Sequence, residues 1–245
     1  MRKLPFLAVL LLLMPMVSIG AGSEGVKLLD PEINLNDKSS LQRGGKLFIN
    51  YCLSCHSASF MRYNRMALDV GFTDDQMKKE MMFTTDKVGN VMEIAMSPED
   101  AALWFGTQPP DLSVISRSKG VDWLYSYLLA FYEDLNPSRP FGVNNIVFPD
   151  VGMPHVFLEL QGTQRKREEH EVGSDIGNVL ELVYPGTVSQ DEYRSQVKDL
   201  ITFLAYLGEP AKVQRQELGV WVLLFLAVFF VVSYLLKKEY WKNVH

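Results

Sequence analysis

Apolar residues recur with helical spacing near the C-terminal end of this chain, and polar positions separate them. Six of them share one face of a helix: Tyr193, Val197, Leu200, Ile201, Leu204 and Leu207. Ser189 and Glu192 have the spacing of a capping box before this stripe. Gly208 and Pro210 follow it at positions that end helices. The pattern predicts a helix over residues 190–207, with Gly208 as its C-terminal cap.

A second helix is predicted from about Asp37 to the cysteine motif described below. Four residues spaced by four would share one of its faces: Gly44, Phe48, Cys52 and His56. The Gly44-Gly45 pair costs about 1 kcal/mol of helix propensity per glycine. Glycines allow another helix to approach closely, so we expect this helix to pack against residues 190–207.

Shorter elements are predicted between these two helices. Their helices run from Thr73 to near Phe83, from Ser97 to Gly106, and from Val121 to Leu135. Strand-like alternation is limited to short pieces near 143–148 and 179–184, so the predicted class is mainly α. The charged segment 161–175, which contains His170, is predicted to be a solvated loop.

Both ends of the chain are continuously apolar. Residues 1–21 combine Arg2 and Lys3 with an apolar run and small residues, which is the pattern of a signal peptide; an uncleaved anchor is the alternative. Residues 218–236 carry no charge and match the thickness of a bilayer core. A buried core helix is the alternative there, which this length without a polar face disfavours. The ends predict one span of a lipid bilayer and a cytoplasmic tail over residues 237–245.

Length and charge limit what lies between the two ends. A chain of 245 residues can hold one large domain or two small ones. We expect one exported domain over residues 22–210, joined to the membrane helix by a juxtamembrane linker at residues 211–217. The formal charge of −5 argues against nucleic acid as a partner and favours a basic protein partner.

The chemistry is concentrated in Cys52-Leu53-Ser54-Cys55-His56. Two cysteines two residues apart with a histidine directly after them form the attachment pattern for a c-type haem. The thiols would bond to the two vinyl groups, and His56 would be the proximal iron ligand. A redox dithiol and a zinc site are the alternatives. These are the chain's two cysteines, and the four histidines form no finger-like pair, so zinc is the weaker of the two.

A haem iron bound by His56 has a distal side that either carries a second ligand or stays open. A methionine there suits electron transfer, whereas an open site suits ligand chemistry. Gly152 and Pro154 flank Met153 in a loop, where they favour a stiff backbone that can approach a porphyrin. Met92 and Met96 compete with Met153 for this role. His155 is a further alternative, but two residues along an extended loop it would point elsewhere.

The order of several motifs resembles the cytochrome c1 family, the haem subunit of the cytochrome bc1 complex, in its bacterial form. They are CLSCH followed by Met61-Arg62-Tyr63, then Pro109-Pro110-Asp111-Leu112-Ser113, Gly152-Met153-Pro154, and residues 199–219 leading into the membrane helix. The resemblance implies a cytochrome c-like haem domain with insertions. It implies Met153 as the sixth iron ligand. It also places Pro110 against the haem, with Arg117 and Lys119 as basic contacts, Lys119 standing where the family often has arginine.

The resemblance further implies electron transfer through one covalent haem. Electrons would come from the Rieske iron–sulfur subunit and pass to a soluble or membrane-bound cytochrome c. Cytochrome b would be the other partner, and the haem domain would lie on the periplasmic side of a bacterial inner membrane. The chain would then be a redox subunit and not an enzyme on its own. A stand-alone tethered shuttle and a membrane-anchored haem enzyme such as a peroxidase are the alternatives.

Overall fold

The computed structural model describes residues 26–167 and 173–243, so the predicted signal peptide and His170 lie outside the described residues. The helices described are α1 (Lys38–Leu47), α2 (Tyr63–Val70), α3 (Asp74–Glu80), α4 (Pro98–Phe105), α5 (Ile115–Lys119), α6 (Val121–Leu129), α7 (Leu158–Gln161), α8 (Ile176–Val179), α9 (Gln190–Gly208) and α10 (Lys212–Tyr240). The strands described are β1 (Val26–Lys27), β2 (Ala58–Arg62), β3 (Val91–Met92), β4 (Phe131–Glu133), β5 (Val143–Asn145), β6 (Gly162–Lys166), β7 (Ser174–Asp175) and β8 (Leu180–Pro185).

Local capping explains where the predicted helices begin. The Asp37 side chain accepts a hydrogen bond from the Ser40 N–H at the start of α1, at 3.1 Å. Ser189 does the same for the Glu192 N–H at the start of α9, at 3.2 Å. Each cap satisfies a backbone N–H that lacks a partner within the helix. The predicted helix starts are confirmed at both places.

The crossing of α1 and α9 forms the centre of the fold. A Cβ atom at Gly44 would collide with the carbonyl of Asp199, so the two backbones touch here as predicted. The buried Asp199 carboxylate accepts hydrogen bonds from Ser40 Oγ at 2.6 Å and from the Arg43 guanidinium at 2.5 and 3.0 Å. Close backbone packing and this ion pair together fix the helix that leads to the two cysteines.

The sheets are small, and the mainly α class is confirmed. Within the described residues each sheet has two strands, which pair β1 with β7 in parallel and β2 with β3, β4 with β5, and β6 with β8 antiparallel. One main core surrounds α1, α9 and the cysteine motif, and a second, smaller core consists of Ala130, Ile146, Val147, Ile176, Val179 and Leu180.

The predicted helix over 121–135 is wrong in its second half. It ends at Leu129, and Phe131 begins a strand that pairs with Asn145. The side-chain amides of Gln161 and Gln164 donate to the Leu129 carbonyl, both at 3.0 Å, where the helix stops. These buried amides come from the segment predicted as a solvated loop. That prediction is also wrong where residues 162–166 form β6 against β8.

Two predicted helix ends are also corrected. The helix that starts at Thr73 ends at Glu80 rather than near Phe83, and the following Met81 and Met82 are buried in the main core. Gly208 is the last residue of α9 and not a left-handed cap. A Cβ atom there would collide with Ser116 Oγ, so the glycine allows α5 to pack against the end of α9.

The C-terminal helix is longer than the apolar run within it. α10 has 29 residues and begins at Lys212, so most of the predicted linker is helical. None of its residues is buried, and it is the one helix among the described residues that is long and apolar enough to cross a membrane. At 1.5 Å per residue it is roughly 44 Å long, more than the hydrocarbon core of a bilayer.

Candidate functional site: the cysteine–histidine turn and the Met153 loop

The cysteine motif forms a turn at the end of the first helix. α1 continues as a π-helical turn over Phe48–Cys52, and the N–H groups of Cys55 and His56 then donate to the Cys52 carbonyl at 3.0 and 2.8 Å. This turn brings both cysteines and the histidine into one segment. Both cysteines are free thiols; Cys52 is buried and Cys55 half-buried.

His56 is held by the backbone of the Pro110 segment. Its Nδ1 lies 2.7 Å from the Pro110 carbonyl oxygen. A carbonyl can only accept, so Nδ1 carries the proton and Nε2 keeps its lone pair. Burial lowers the pKa of His56, and this outweighs the opposite effects of that hydrogen bond and of the Asp111 charge. The imidazole is therefore neutral at neutral pH, with Nε2 available to a metal.

The segment that follows Pro110 is tied to the chain directly after His56. Asp111 accepts from the N–H and the hydroxyl of Ser59 at 2.9 and 2.7 Å. The Leu112 N–H donates to the Ser57 carbonyl at 2.8 Å, and Ser113 Oγ accepts from the Phe60 N–H at 3.1 Å. These bonds fix the Pro110 carbonyl against the imidazole.

Met153 lies in a loop that is anchored to α6 and β5. The Tyr127 hydroxyl donates to Met153 Sδ at 3.3 Å. Burial raises the pKa of Tyr127, so the hydroxyl keeps its proton and remains a donor. Upstream in the loop, Asn145 Oδ1 accepts from the Val147 and Phe148 N–H groups at 2.9 and 3.2 Å. Both the start of the loop and the methionine sulfur are thus fixed.

The competing candidates occupy different surroundings. The His155 ring stacks on Phe131 at a centroid distance of 4.8 Å, burial lowers the pKa of His155 to about 4, and its buried Nε2 has no hydrogen-bond partner among the described residues. Met92 is fully buried in β3, in the main core. Met96 is half-buried between β3 and α4. Met92 is therefore a packing residue, and the His155 ring is packed against Phe131.

The two basic residues of α5 lie against different parts of the fold. Lys119 Nζ lies 5.1 Å from the centre of the Trp123 ring, and that ring stacks on Tyr127 at 5.0 Å. Lys119 is thus linked by two ring contacts to the residue that holds Met153. The side-chain carbons of Arg117 instead lie against Gly208 at the end of α9. Both side chains are exposed, as is Pro110.

Aromatic packing joins the two halves of the site. Tyr51, directly before Cys52, contacts the ring of Phe157, four residues after Met153, at a centroid distance of 4.8 Å. Phe157 also contacts Tyr193 of α9 at 6.1 Å. The cysteine turn and the Met153 loop are therefore packed on the same helix although 100 positions separate Cys52 from Gly152.

Comparison with known proteins decides the family. A model of the Cytochrome C1 family matches residues 32–161 and 181–244. The chain belongs to the cytochrome c1 family. It is 47% identical over 248 residues to a cytochrome c1 of Allochromatium vinosum, with complete coverage of both chains. A cytochrome c1 of Rhodospirillum rubrum is 26% identical over 229 residues, covering 85% of this chain and 83% of the relative.

Another relative carries a different name. The ammonia monooxygenase gamma subunit of Nitrosomonas europaea is 47% identical over 245 residues, again with complete coverage of both chains. Membership of the cytochrome c1 family makes the chain a haem electron-transfer subunit of the bc1 complex, and it implies a c-type haem.

The residues present fit such a group. Two unpaired thiols lie one turn apart, and the neighbouring imidazole has its Nδ1 proton bound elsewhere, which leaves Nε2 free. The Met153 thioether accepts one hydrogen bond and keeps a second lone pair. A Cβ atom at Gly152 would meet no described atom within 4 Å, so protein packing does not require the glycine there.

Sequence reasoning missed the residues that hold the two candidate ligands, His56 and Met153. Tyr127 lies in an aromatic helical run with nothing in the sequence to distinguish its hydroxyl from those of Tyr125 and Tyr132. Asn145 follows Asn144 in a short strand, and that polar pair in an otherwise apolar segment is the signal that could have marked it. Asp111 was visible as part of a motif, but its bonds to Ser59 were not.

Proposed function

We propose that this chain binds one haem covalently through Cys52 and Cys55, with His56 and Met153 as its axial iron ligands. The observation that carries the proposal is the 2.7 Å contact between His56 Nδ1 and the Pro110 carbonyl. It fixes the tautomer in which Nε2 can bind a metal, directly beside the two thiols. Metal-binding histidines commonly hold their second nitrogen in this way.

The chain's own residues set the properties of the site. When bound, the haem supplies a one-electron iron couple whose potential depends on its axial ligands. The Pro110 carbonyl keeps the His56 ring oriented and makes its Nε2 a better donor. The Met153 thioether favours the ferrous state and so a high potential. Arg117 and Lys119 add positive charge and are proposed as contacts to the haem's carboxylates.

The proposed partners follow from family membership. We propose that electrons come from a Rieske iron–sulfur subunit and pass to a cytochrome c, while cytochrome b carries the quinol chemistry. The chain is then a redox subunit without catalysis of its own. An N-terminal export signal and α10 as the single membrane span would place the haem domain on the periplasmic side of a bacterial inner membrane.

The name of the Nitrosomonas relative supplies a second candidate, an assembly that contains an ammonia monooxygenase. Both named relatives are 47% identical over their full length, and the match to the Cytochrome C1 family model favours the bc1 complex. The haem-binding proposal is common to both, and the partners differ.

Native purification tests the proposal. The full-length chain, tagged after its last residue and extracted from its own membranes in mild detergent, is expected to carry haem stain on a denaturing gel. It is also expected to co-purify with a dihaem cytochrome b and a Rieske protein. Monooxygenase subunits in place of these two would favour the second candidate. A haem-stained chain that purifies alone would point to a tethered shuttle.

A further inference from the structure

A buried hydroxyl group contacts the sulfur that we propose as an iron ligand. Tyr127 Oη lies 3.3 Å from Met153 Sδ, with the hydroxyl as donor and the thioether as acceptor. A thioether sulfur is a weak acceptor with two lone pairs. One pair can accept this hydrogen bond while the other faces a metal, so the two interactions are compatible.

The surroundings of Tyr127 fix the direction of its hydroxyl. Its ring stacks on Trp123 with an interplanar angle of 8° and meets the edges of Phe131 and Phe148 at centroid distances of 5.2 and 6.5 Å. The Asn145 amide donates to the Tyr127 carbonyl at 2.8 Å. An aromatic ring held on three sides has little rotamer freedom, so the hydroxyl stays on the sulfur.

The same asparagine controls the loop that delivers the methionine. Asn145 is 1% exposed, and its carbonyl oxygen accepts from the backbone of Val147 and Phe148. Its neighbour Asn144 accepts from the Asp150 N–H at 2.9 Å. Hydrogen bonds of Asn145 therefore connect Tyr127 to the start of the Met153 loop. The Tyr127 hydroxyl in turn contacts the Met153 sulfur directly.

We propose that Tyr127 is a positioning residue for Met153, which orients the thioether and withdraws electron density from its sulfur. The inference rests on the proposed ligation by Met153. A hydrogen bond to sulfur makes it a weaker donor to iron, which disfavours the ferric state more than the ferrous state. The Tyr127 hydroxyl thus raises the reduction potential of the site.

Replacing the hydroxyl alone isolates this effect. Tyr127→Phe keeps the ring and its stacking but removes the donor. Tyr125→Phe is the matched control, because Tyr125 lies on the same helix and its hydroxyl donates to the backbone carbonyl of Arg194 at 3.4 Å. Met153→Leu removes the sulfur and serves as the reference for lost ligation. Each variant is purified as the full chain in its native complex.

The measurements are the reduction potential and the near-infrared methionine–iron absorption of the ferric protein. Tyr127→Phe is expected to keep the absorption with a shifted maximum. Its ferric-to-ferrous equilibrium constant is expected to move by about two- to tenfold towards ferric, the range of one hydrogen bond. Tyr125→Phe is expected to match the unmodified protein in both.

The outcomes distinguish the role of Tyr127 from the proposed ligation by Met153 on which it rests. If Met153→Leu abolishes the absorption while Tyr127→Phe matches Tyr125→Phe in potential and spectrum, Met153 is the ligand and the role of Tyr127 is refuted. If Met153→Leu retains the absorption, the proposed ligation is wrong and the inference about Tyr127 is overturned with it.

Discussion

Cys52 lies in buried surroundings that favour the neutral thiol, whereas a reactive cysteine has surroundings that stabilise its thiolate. Burial raises the pKa of Cys52 to about 12, with the nearby Cys55 adding to the effect. Redox-active dithiols rely on a stabilised thiolate with a lowered pKa. The folded chain instead keeps Cys52 as a neutral thiol in the main core. This argues against the redox dithiol and favours a cysteine that is modified before or during folding.

Removing the thiols tests their covalent role. Cys52→Ala or Cys55→Ala should each weaken haem retention on a denaturing gel, because one thioether bond remains. The double variant should lose the stain completely. Ser54→Ala, an exposed residue between the two cysteines, is the control that should leave the stain unchanged. Full staining of the double variant would contradict covalent attachment at these residues.

Asp111 predicts a pH dependence of stability. Burial by itself would raise the pKa of Asp111, but hydrogen bonds from Ser113 and Ser59 outweigh it and lower the pKa. Its stabilising effect is therefore complete above the unfolded pKa of about 3.9 and is lost as the pH falls through the lower folded value. Asp111→Asn should lower stability by at most about 1 kcal/mol at pH 7, because Asp111 is exposed and solvent weakens its hydrogen bonds.

Thermal unfolding of the detergent-solubilised protein between pH 3 and pH 7 would measure this difference. The gap between the Asp111→Asn variant and the unmodified protein should close on acidification. Asp86→Asn changes an exposed carboxylate and should show little difference at any pH. A gap at Asp111 that is constant with pH would mean that the charge of its carboxylate is not what holds the Pro110 segment.

At the scale of elements, the contact of α1 with α9 sets the position of the cysteine turn. Gly44→Ala would place a methyl group against the Asp199 carbonyl, so it should destabilise the domain by about 1–3 kcal/mol. Haem content should fall with it, since α1 leads directly into the turn. Gly89→Ala is the control, because a Cβ atom there meets nothing within 4 Å. Equal melting temperatures for the two variants would show that the contact at Gly44 is not tight.

The elements that could be predicted from sequence are those with local signals. Asp37, Ser97 and Ser189 mark helix starts through caps that the structure contains. The run from Val121 to Leu135 is apolar on nearly every face of a helix, so its periodicity does not indicate where the helix ends. Its end is set by Gln161 and Gln164, which bind the Leu129 carbonyl from over 30 positions away. A single sequence does not contain that information.

The site likewise combines a feature with a local sequence signal and a contact that depends on distant residues. The spacing of Cys52, Cys55 and His56 is a local pattern, and it favours c-type haem attachment over a redox dithiol or a zinc site. The link from Tyr127 to Met153 spans 26 positions and depends on the pairing of β4 with β5. The loop around Gly152 favoured Met153 over Met92 and Met96, and the family resemblance implied it as the ligand, but the contact that holds its sulfur requires the fold.

For the whole molecule, charge predicts how an acceptor is reached. The chain's formal charge of −5 favours a basic cytochrome as the acceptor. This cytochrome should oxidise the reduced chain more slowly as ionic strength rises, because exposed charges are screened beyond about 8 Å at physiological salt. Stopped-flow measurement would show this, with a small uncharged oxidant as control. A rate that does not depend on salt would indicate apolar docking or a tethered acceptor.

The central claim is that Met153 completes a His–Met site for electron transfer, and Met153→Leu tests it most directly. Leucine has a similar volume, so the packing cost should stay below about 1.5 kcal/mol. The variant should keep its haem through Cys52, Cys55 and His56. It should lose the methionine–iron absorption, fall in reduction potential and lose quinol–cytochrome c turnover, while the subunit remains in the membrane.

Met92→Leu is the matched control, since Met92 is a fully buried core methionine, and its spectrum and potential should be unchanged. The account is contradicted if Met153→Leu keeps the native absorption and potential while the corresponding change at Met92 or Met96 abolishes them.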